Sequence, residues 1–262
     1  MIKLLRLDQQ PETVHRMPKA GSGAAPLFLI HDGSGICVQY HRLPAMGRSV
    51  FAINNSKFAK TAESWSTLED MAEEYAALIL GTHEGPLLLG GWSFGGVVAF
   101  QVARLLLQKG RTVHGVVLID APPPLNHQVL SDEIIGAVVT SPGPSRDPQA
   151  NVVRNLVKQS FDVCAGLLGA FRPQSSHSMP SPPLYLLRSR DGWRQEGVKE
   201  IENAWLQDRS DPQSAVAGWE IVSSSTVPWV DIPGNHFQPF ETPMLGFVTQ
   251  AIIRACQELE SE

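Results

Sequence analysis

Cysteine is scarce in this chain. Cys37, Cys164 and Cys256 are the only three in 262 residues, and none falls in a CxxC or Cys/His spacing. An odd, scattered set argues against a disulfide scaffold and a thiolate zinc site, and it implies reduced core thiols. Long apolar runs are missing too: none reaches the roughly 18 residues that a bilayer span requires. The opening segment Met1-Ile2-Lys3-Leu4-Leu5-Arg6 has no extended hydrophobic region before a cleavage site. Charge is modest, 18% of residues with a net of −5, and Lys and Arg form no cluster, so nucleic acid is not an expected partner. A soluble, cytoplasmic chain without membrane contact or bound metal is the expectation. A piece of a longer polypeptide would show the same absences.

What the chain does have is regular alternation. Short, almost wholly apolar runs recur at Leu27–Ile30, Val50–Ile53, Leu87–Leu89, Val116–Ile119, Leu184–Leu187 and Trp229–Ile232. Runs of this kind are strands covered on both faces. Helix signals separate several of them. Ser66-Thr67-Leu68-Glu69 reads as a capping box, followed by Leu68, Met71, Ala72, Tyr75, Leu78 and Ile79 at helical spacing. Val97 to Gln108 carries an apolar helical face and stops at Gly110. Thr242-Pro243 opens a final helix running to about Glu258, with proline in its first turn. Strand and helix in alternation predict an α/β fold with a mostly parallel sheet and right-handed crossovers.

The alternation breaks between Ile119 and Leu184. Two helices are expected there, about 131–139 and 149–171, among loops rich in Pro, Ser and Gly. An insertion of that size at the edge where catalytic loops gather reads as a lid over about residues 121–183. Residues 1–26 read as a polar lead-in or linker, and 27–262 as one folded domain.

Gly91-Trp92-Ser93-Phe94-Gly95 follows an apolar strand and opens a helix. That strand–turn–helix context makes G-x-S-x-G the nucleophile elbow of an α/β-hydrolase fold. The turn lifts the serine hydroxyl above the sheet, and the glycines two before and two after it leave room for the neighbouring backbone. A serine hydroxyl needs a general base, and the base needs an orienting acid. In this fold the base comes last in chain order, after the final strand, which selects His236 in Pro233-Gly234-Asn235-His236-Phe237; His31 also ends a strand but precedes the nucleophile. Two residues compete as the acid. Asp120 ends the strand Val116–Ile119, and Asp191 lies just beyond the next strand in Arg188-Ser189-Arg190-Asp191-Gly192. The oxyanion hole is expected from the backbone N–H of Phe94 and one from His31-Asp32-Gly33-Ser34-Gly35, with Gly33 the candidate.

Four segments carry a resemblance: Leu29-Ile30-His31-Asp32-Gly33-Ser34-Gly35, Gly90-Gly91-Trp92-Ser93-Phe94-Gly95-Gly96, Val117-Leu118-Ile119-Asp120-Ala121-Pro122 and Gly234-Asn235-His236-Phe237. Together the chain resembles the type I thioesterase domains that end fungal iterative, non-reducing polyketide synthases and NRPS-like synthetases. The resemblance implies Asp120 as acid, since the stand-alone type II editing thioesterases place theirs one strand later, at the position of Asp191. It also implies a helical lid, no cofactor bound by the domain itself, and an acyl substrate presented on the phosphopantetheine arm of an acyl or peptidyl carrier protein. Release by hydrolysis, lactonisation or Claisen-type cyclisation all remain open. A carboxylesterase and a catalytically silent binding module are the rivals. One departure stands out. Many relatives have a small residue after the serine, and the bulky Phe94 is expected to narrow or re-aim the substrate chamber.

Overall fold

A computed structural model describes residues 14–16, 23–60, 63–125, 128, 130–140, 148–173, 179–194 and 204–261. Seven strands form one sheet: β1 (Val14–Arg16), β2 (Leu27–Ile30), β3 (Val50–Ile53), β4 (Leu87–Trp92), β5 (Val113–Ile119), β6 (Leu184–Ser189) and β7 (Trp229–Ile232). Their spatial order is β1-β3-β2-β4-β5-β6-β7. All neighbours are parallel except β1, which runs antiparallel to β3 in the register Val14↔Ile53 and Arg16↔Phe51. The α-helices among the described residues are α1 (Leu68–Thr82), α2 (Phe94–Gln108), α3 (Asp132–Thr140), α4 (Pro148–Ala170), α5 (Ala204–Gln207), α6 (Pro212–Ser223) and α7 (Leu245–Leu259).

The apolar strands are explained by two cores, one on each face of the sheet. Phe28 and Ile30 of β2, Leu89 of β4, Val116 and Leu118 of β5 and Leu186 of β6 face a core shared with α1, α2, α4 and α6. Their neighbours Leu27, Leu29, Leu88, Val117, Ile119 and Leu187 face the opposite core, built with α7 and the segment around Tyr40. Strict alternation of side chains with apolar residues on both faces is what a doubly covered parallel sheet requires. Each such side chain contributes about 1.5–3 kcal/mol by leaving water.

Several expectations shift. Val14–Arg16, read as part of the lead-in, is an edge strand of the sheet; residues 1–13 and 17–22 lie outside the described residues. The cap of α1 is Thr67, not Ser66. The Asp70 amide donates to Thr67 Oγ1 at 3.0 Å, and the Thr67 amide donates to an Asp70 carboxylate oxygen at 3.2 Å. The last helix starts at Leu245, because Met244 N and Leu245 N both donate to Glu241 O and close a turn around Pro243 before the helix begins. In the expected lid region α3 and α4 lie close to the sequence-derived ranges; residues 126–127, 129, 141–147 and 174–178 of it lie outside the described residues. No helix among the described residues is long and apolar enough to cross a membrane.

Sheet order fixes where a site can form. β2 pairs with β3 on one side and β4 on the other. The chain therefore leaves β2 in one direction and returns from β4 in the other, a topological switch point. The carboxyl ends of β2 and β4 diverge there and leave the crevice in which open α/β sheets bind ligands.

Candidate active site

Ser93 stands at that crevice, between the end of β4 and the start of α2, with φ 55° and ψ −124°. A positive φ on a residue other than glycine costs on the order of 1–3 kcal/mol and persists only where the surroundings impose it. Here the Ser93 amide donates to Ile119 O at 3.0 Å and the Gly96 amide to Ser93 O at 3.1 Å, pinning both ends of the turn. The flanking glycines are needed for space. A Cβ on Gly91 would lie 2.3 Å from the Gly95 carbonyl carbon, and one on Gly95 would lie 2.4 Å from Ile30 O. The elbow is thus pressed against the end of β2.

His236 Nε2 lies 3.0 Å from Ser93 Oγ, and His236 Nδ1 lies 2.8 Å from Asp120 Oδ2. An ionised carboxylate only accepts, so the Nδ1–Oδ2 contact puts the imidazole proton on Nδ1 and leaves the Nε2 lone pair facing the hydroxyl. Asp120 follows β5 directly and has φ 45°. Its Oδ1 accepts the Ser189 amide at 2.8 Å and Arg209 Nη1 at 2.9 Å, and its Oδ2 accepts Arg209 Nη2 at 3.0 Å. Burial alone would push this carboxyl up; the Arg209 guanidinium, His236 and the Ser189 amide outweigh it and hold Asp120 well below the usual carboxylate range. Burial also pulls His236 down, against the raising pull of Asp120, so the ring is neutral near pH 7.

The competing acid, Asp191, is not at the histidine. Its Oδ2 accepts the Gly234 amide at 3.1 Å, its own amide donates to Gly234 O at 3.0 Å, and its side chain pairs with Arg190 on the surface. It braces the loop that carries His236. That loop is held further by the Trp92 indole N–H, which donates to His236 O at 3.0 Å.

The Phe94 side chain does not enter the crevice as expected. It is buried in the core beside α1, its ring centroid 6.0 Å from that of His31. Residue 94 opens α2, so its side chain follows the helix face turned toward the sheet while its amide stays at the helix N-terminus, without a partner inside the helix. Gly33 lies on the loop after β2, and the Phe161 ring of α4 rests on it: a Cβ there would lie 2.6 Å from two ring atoms. Beneath this loop His31 Nδ1 donates to Asp32 O at 2.6 Å, and His31 Nε2 accepts from Tyr75 OH at 2.8 Å. With both nitrogens satisfied in the neutral form, burial lowers its pKa to about 4. The neighbouring Asp32 carboxyl is buried and raised to about 6, although Ser34 and Gln39 hydrogen-bond to it.

Three side chains at this centre carried no sequence signal. Tyr40 OH donates to Ile30 O at 2.8 Å and accepts the Trp92 amide at 2.9 Å, filling the gap between the diverging β2 and β4. Trp205 meets His236 edge to face at 4.8 Å, and Arg209 forks onto Asp120. The partner of Arg209 is 89 residues away and those of Tyr40 are 10 and 52 residues away, so no local pattern around Arg209 or Tyr40 points to them. The three cysteines are buried and free, and burial pushes the Cys256 thiol up to about 12. Among the described residues no group of three or more His, Cys, Asp or Glu is placed to hold a metal ion.

This geometry has counterparts. A thioesterase domain model matches residues 25–137. An orsellinic acid synthase of Beauveria bassiana (strain ARSEF 2860) is 44% identical over 98% of this chain, which spans only 13% of that protein. Thioesterase frbD of Dothideomycetidae sp. (strain 11243) is 31% identical, with 95% of each chain covered. Among solved structures, the NocB thioesterase domain from the nocardicin cluster superposes with a TM-score of 0.70 at 25% identity, covering 94% of this chain and all of that one. A relative matched from end to end, a family model over the elbow and a shared α/β-hydrolase fold agree: the chain belongs to the thioesterase family.

Proposed function

We propose that this chain is a chain-releasing thioesterase that takes an acyl group from a carrier-protein phosphopantetheine thioester onto Ser93. The observation that carries the reading is the unbroken relay from Asp120 through His236 to Ser93, at 2.8 and 3.0 Å, set at the switch point of the sheet. In this mechanism His236 Nε2 takes the hydroxyl proton as Ser93 Oγ attacks the thioester carbonyl. The amides of Phe94 and Gly33 hold the oxyanion. As the tetrahedral intermediate collapses the C–S bond breaks, and the pantetheine sulfur leaves with the proton from His236. A second nucleophile then gives its proton to His236 and attacks the acyl-enzyme, and Ser93 Oγ recovers that proton on leaving. Asp120 keeps the imidazole in the required tautomer and stabilises its protonated form. The chemistry needs no metal and no cofactor resident in the domain.

The acid at the end of β5 favours the type I arrangement over a type II editing enzyme, whose acid would sit at Asp191. Residues 27–262, together with the edge strand β1, are read as the catalytic unit and about 121–183 as its lid, a lid assignment supported by Phe161 of α4 resting on the Gly33 loop. The partner is an acyl or peptidyl carrier protein, in cis or in trans. The relatives from Beauveria bassiana and two Armillaria species are named orsellinic acid synthases. Orsellinic acid is a free carboxylic acid, so the release mode favoured by these names is attack by water on an aromatic acyl-enzyme. The test is to incubate the protein with a panel of acyl-pantetheine thioesters and identify products by mass. The expected result is a free acid from an aromatic acyl thioester, with a Ser93 acyl adduct seen in intact-protein mass spectrometry. A lactone or a carbocycle would replace hydrolysis with cyclisation, and wild-type turnover by Ser93→Ala would sink the mechanism.

A further inference from the structure

The carboxylate of Asp120 is shared. Oδ2 accepts from both His236 Nδ1 and Arg209 Nη2, and Oδ1 from the Ser189 amide and Arg209 Nη1. Four donors occupy the four lone-pair directions of one carboxylate, so its plane is fixed, and with it the plane of the imidazole. Two of the four come from a single planar fork, the geometry in which Arg and carboxylate match best.

Arg209 is itself anchored. It lies between α5 and α6, where Asp208 accepts the Ser210 amide at 2.9 Å and Asp211 caps α6 through the Gln213 amide at 2.9 Å. Its carbonyl accepts Arg188 Nη1 at 3.0 Å. Its guanidinium faces the Trp205 ring at 5.4 Å, and that ring in turn meets His236. One short segment thus delivers a cation to the far side of the acid and an aromatic wall to the base.

From these contacts we propose that Arg209 is a positioning residue of the catalytic relay, its fork setting the orientation of Asp120 and its charge setting the basicity of His236. The proposal rests on the triad reading above. The fork's role is steric: without it Asp120 keeps, among the described residues, one backbone donor besides His236. The charge's role is electrostatic. A guanidinium beside Asp120 offsets part of the carboxylate's pull on the imidazolium, so the ring stays neutral to lower pH. Among the described residues the charged groups that face His236 are Asp120 from the end of β5 and Arg209 from the α5–α6 turn. Arg188 of β6 is taken up by Asp231 of β7 at 2.9 Å, and Arg190 and Asp191 pair with each other behind the loop. Ser93, Trp92, Trp205 and Phe237 bring no charge.

The experiment measures the rate constant for Ser93 labelling by a fluorophosphonate as a function of pH, which reads nucleophile activation without the native substrate. Arg209→Met removes fork and charge. It is expected to lower the plateau about 10²-fold, as small misplacements of catalytic groups do, and to move the acid limb upward by about one pH unit. Arg209→Lys keeps a charge without the fork, and it is expected to lower the plateau with the limb near its wild-type position. A plateau and limb unchanged in Arg209→Met, or a lowered plateau with an unmoved limb, would overturn the proposal. If Arg209→Met does not fold, Arg209→Lys decides: a wild-type plateau there refutes the role of the fork. Failure of wild-type Ser93 to label would instead strike at the triad reading itself.

Discussion

Asp32 and His31 sit side by side under the crevice and should give the protein an unusual pH response. The Asp32 carboxyl titrates at about 6 in the fold against 3.8 in the unfolded chain. A carboxyl raised in this way contributes nothing unfavourable below pH 3.8, where both states are protonated. Stability is then lost as pH rises through about 6, to a total of about 3 kcal/mol. His31 slopes the other way. Its folded pKa of about 4 against 6.5 means that stability is complete above 6.5 and lost as pH falls toward 4, again by about 3 kcal/mol. Between pH 4 and 6 the two slopes oppose. Asp32→Asn removes one of them while keeping an oxygen that can accept from the Ser34 amide, 3.2 Å from Oδ1. The difference in unfolding free energy between variant and wild type should therefore be small at pH 4 and rise to about 3 kcal/mol in favour of the variant at pH 7.5. Urea unfolding at 25 °C across that range, with unchanged m-values, is the assay. A uniform offset would reflect only a changed hydrogen bond. A difference that does not grow with pH would refute the argument that Asp32 is held neutral by burial.

Three further outcomes follow from the site and its frame. Asp120→Asn should lower turnover by about 10⁴-fold through the wrong imidazole tautomer, whereas Asp191→Asn should leave most activity; steady-state rates on one thioester decide, and a larger loss for Asp191→Asn reverses the roles. Tyr40→Phe strands Ile30 O and the Trp92 amide, and urea midpoints should report a loss of about 1–3 kcal/mol; an unchanged midpoint would mean that the two groups find other partners. Gly95→Ala drives a Cβ into the backbone carbonyls of Ile30 and His31 and should cost at least about 3 kcal/mol, while Gly166→Ala, with nothing within 4 Å on α4, should stabilise by about 0.5–1 kcal/mol. Equal midpoints for the two variants would contradict the packing described at the elbow.

The contrast between what was legible and what was not has a physical basis. β2, β4, β5 and β6 announce themselves because both faces must be apolar, and that requirement is written locally in each run. Ser93 is legible because the turn demands Gly91 and Gly95 at fixed offsets, and His236 because chain order in this fold puts the base last. Arg209 is different. Its role is a pairing across 89 residues, and a lone arginine beside two aspartates looks like a solvated turn. The Phe94 side chain is illegible for a related reason: a bulky residue beside a nucleophile suggests a chamber wall, but the first turn of α2 directs it into the core. β1 is not legible because three residues of an edge strand show no alternation to count. Thr67 took the cap from Ser66 because both are good caps, and only the position of Asp70 at the third helical residue separates them.

The pairing of Val14–Arg16 with β3 also bears on how this unit can be dissected. A fragment begun at Leu27, where the apolar runs start, would leave β3 with one rim of amides and carbonyls open to water along Val50-Phe51-Ala52-Ile53. A short, uncharged, apolar rim of that kind is a template for strands of other copies. Shortened variants should then self-associate even with every residue of the relay intact, and expression limits drawn upstream of Val14 should remain monodisperse.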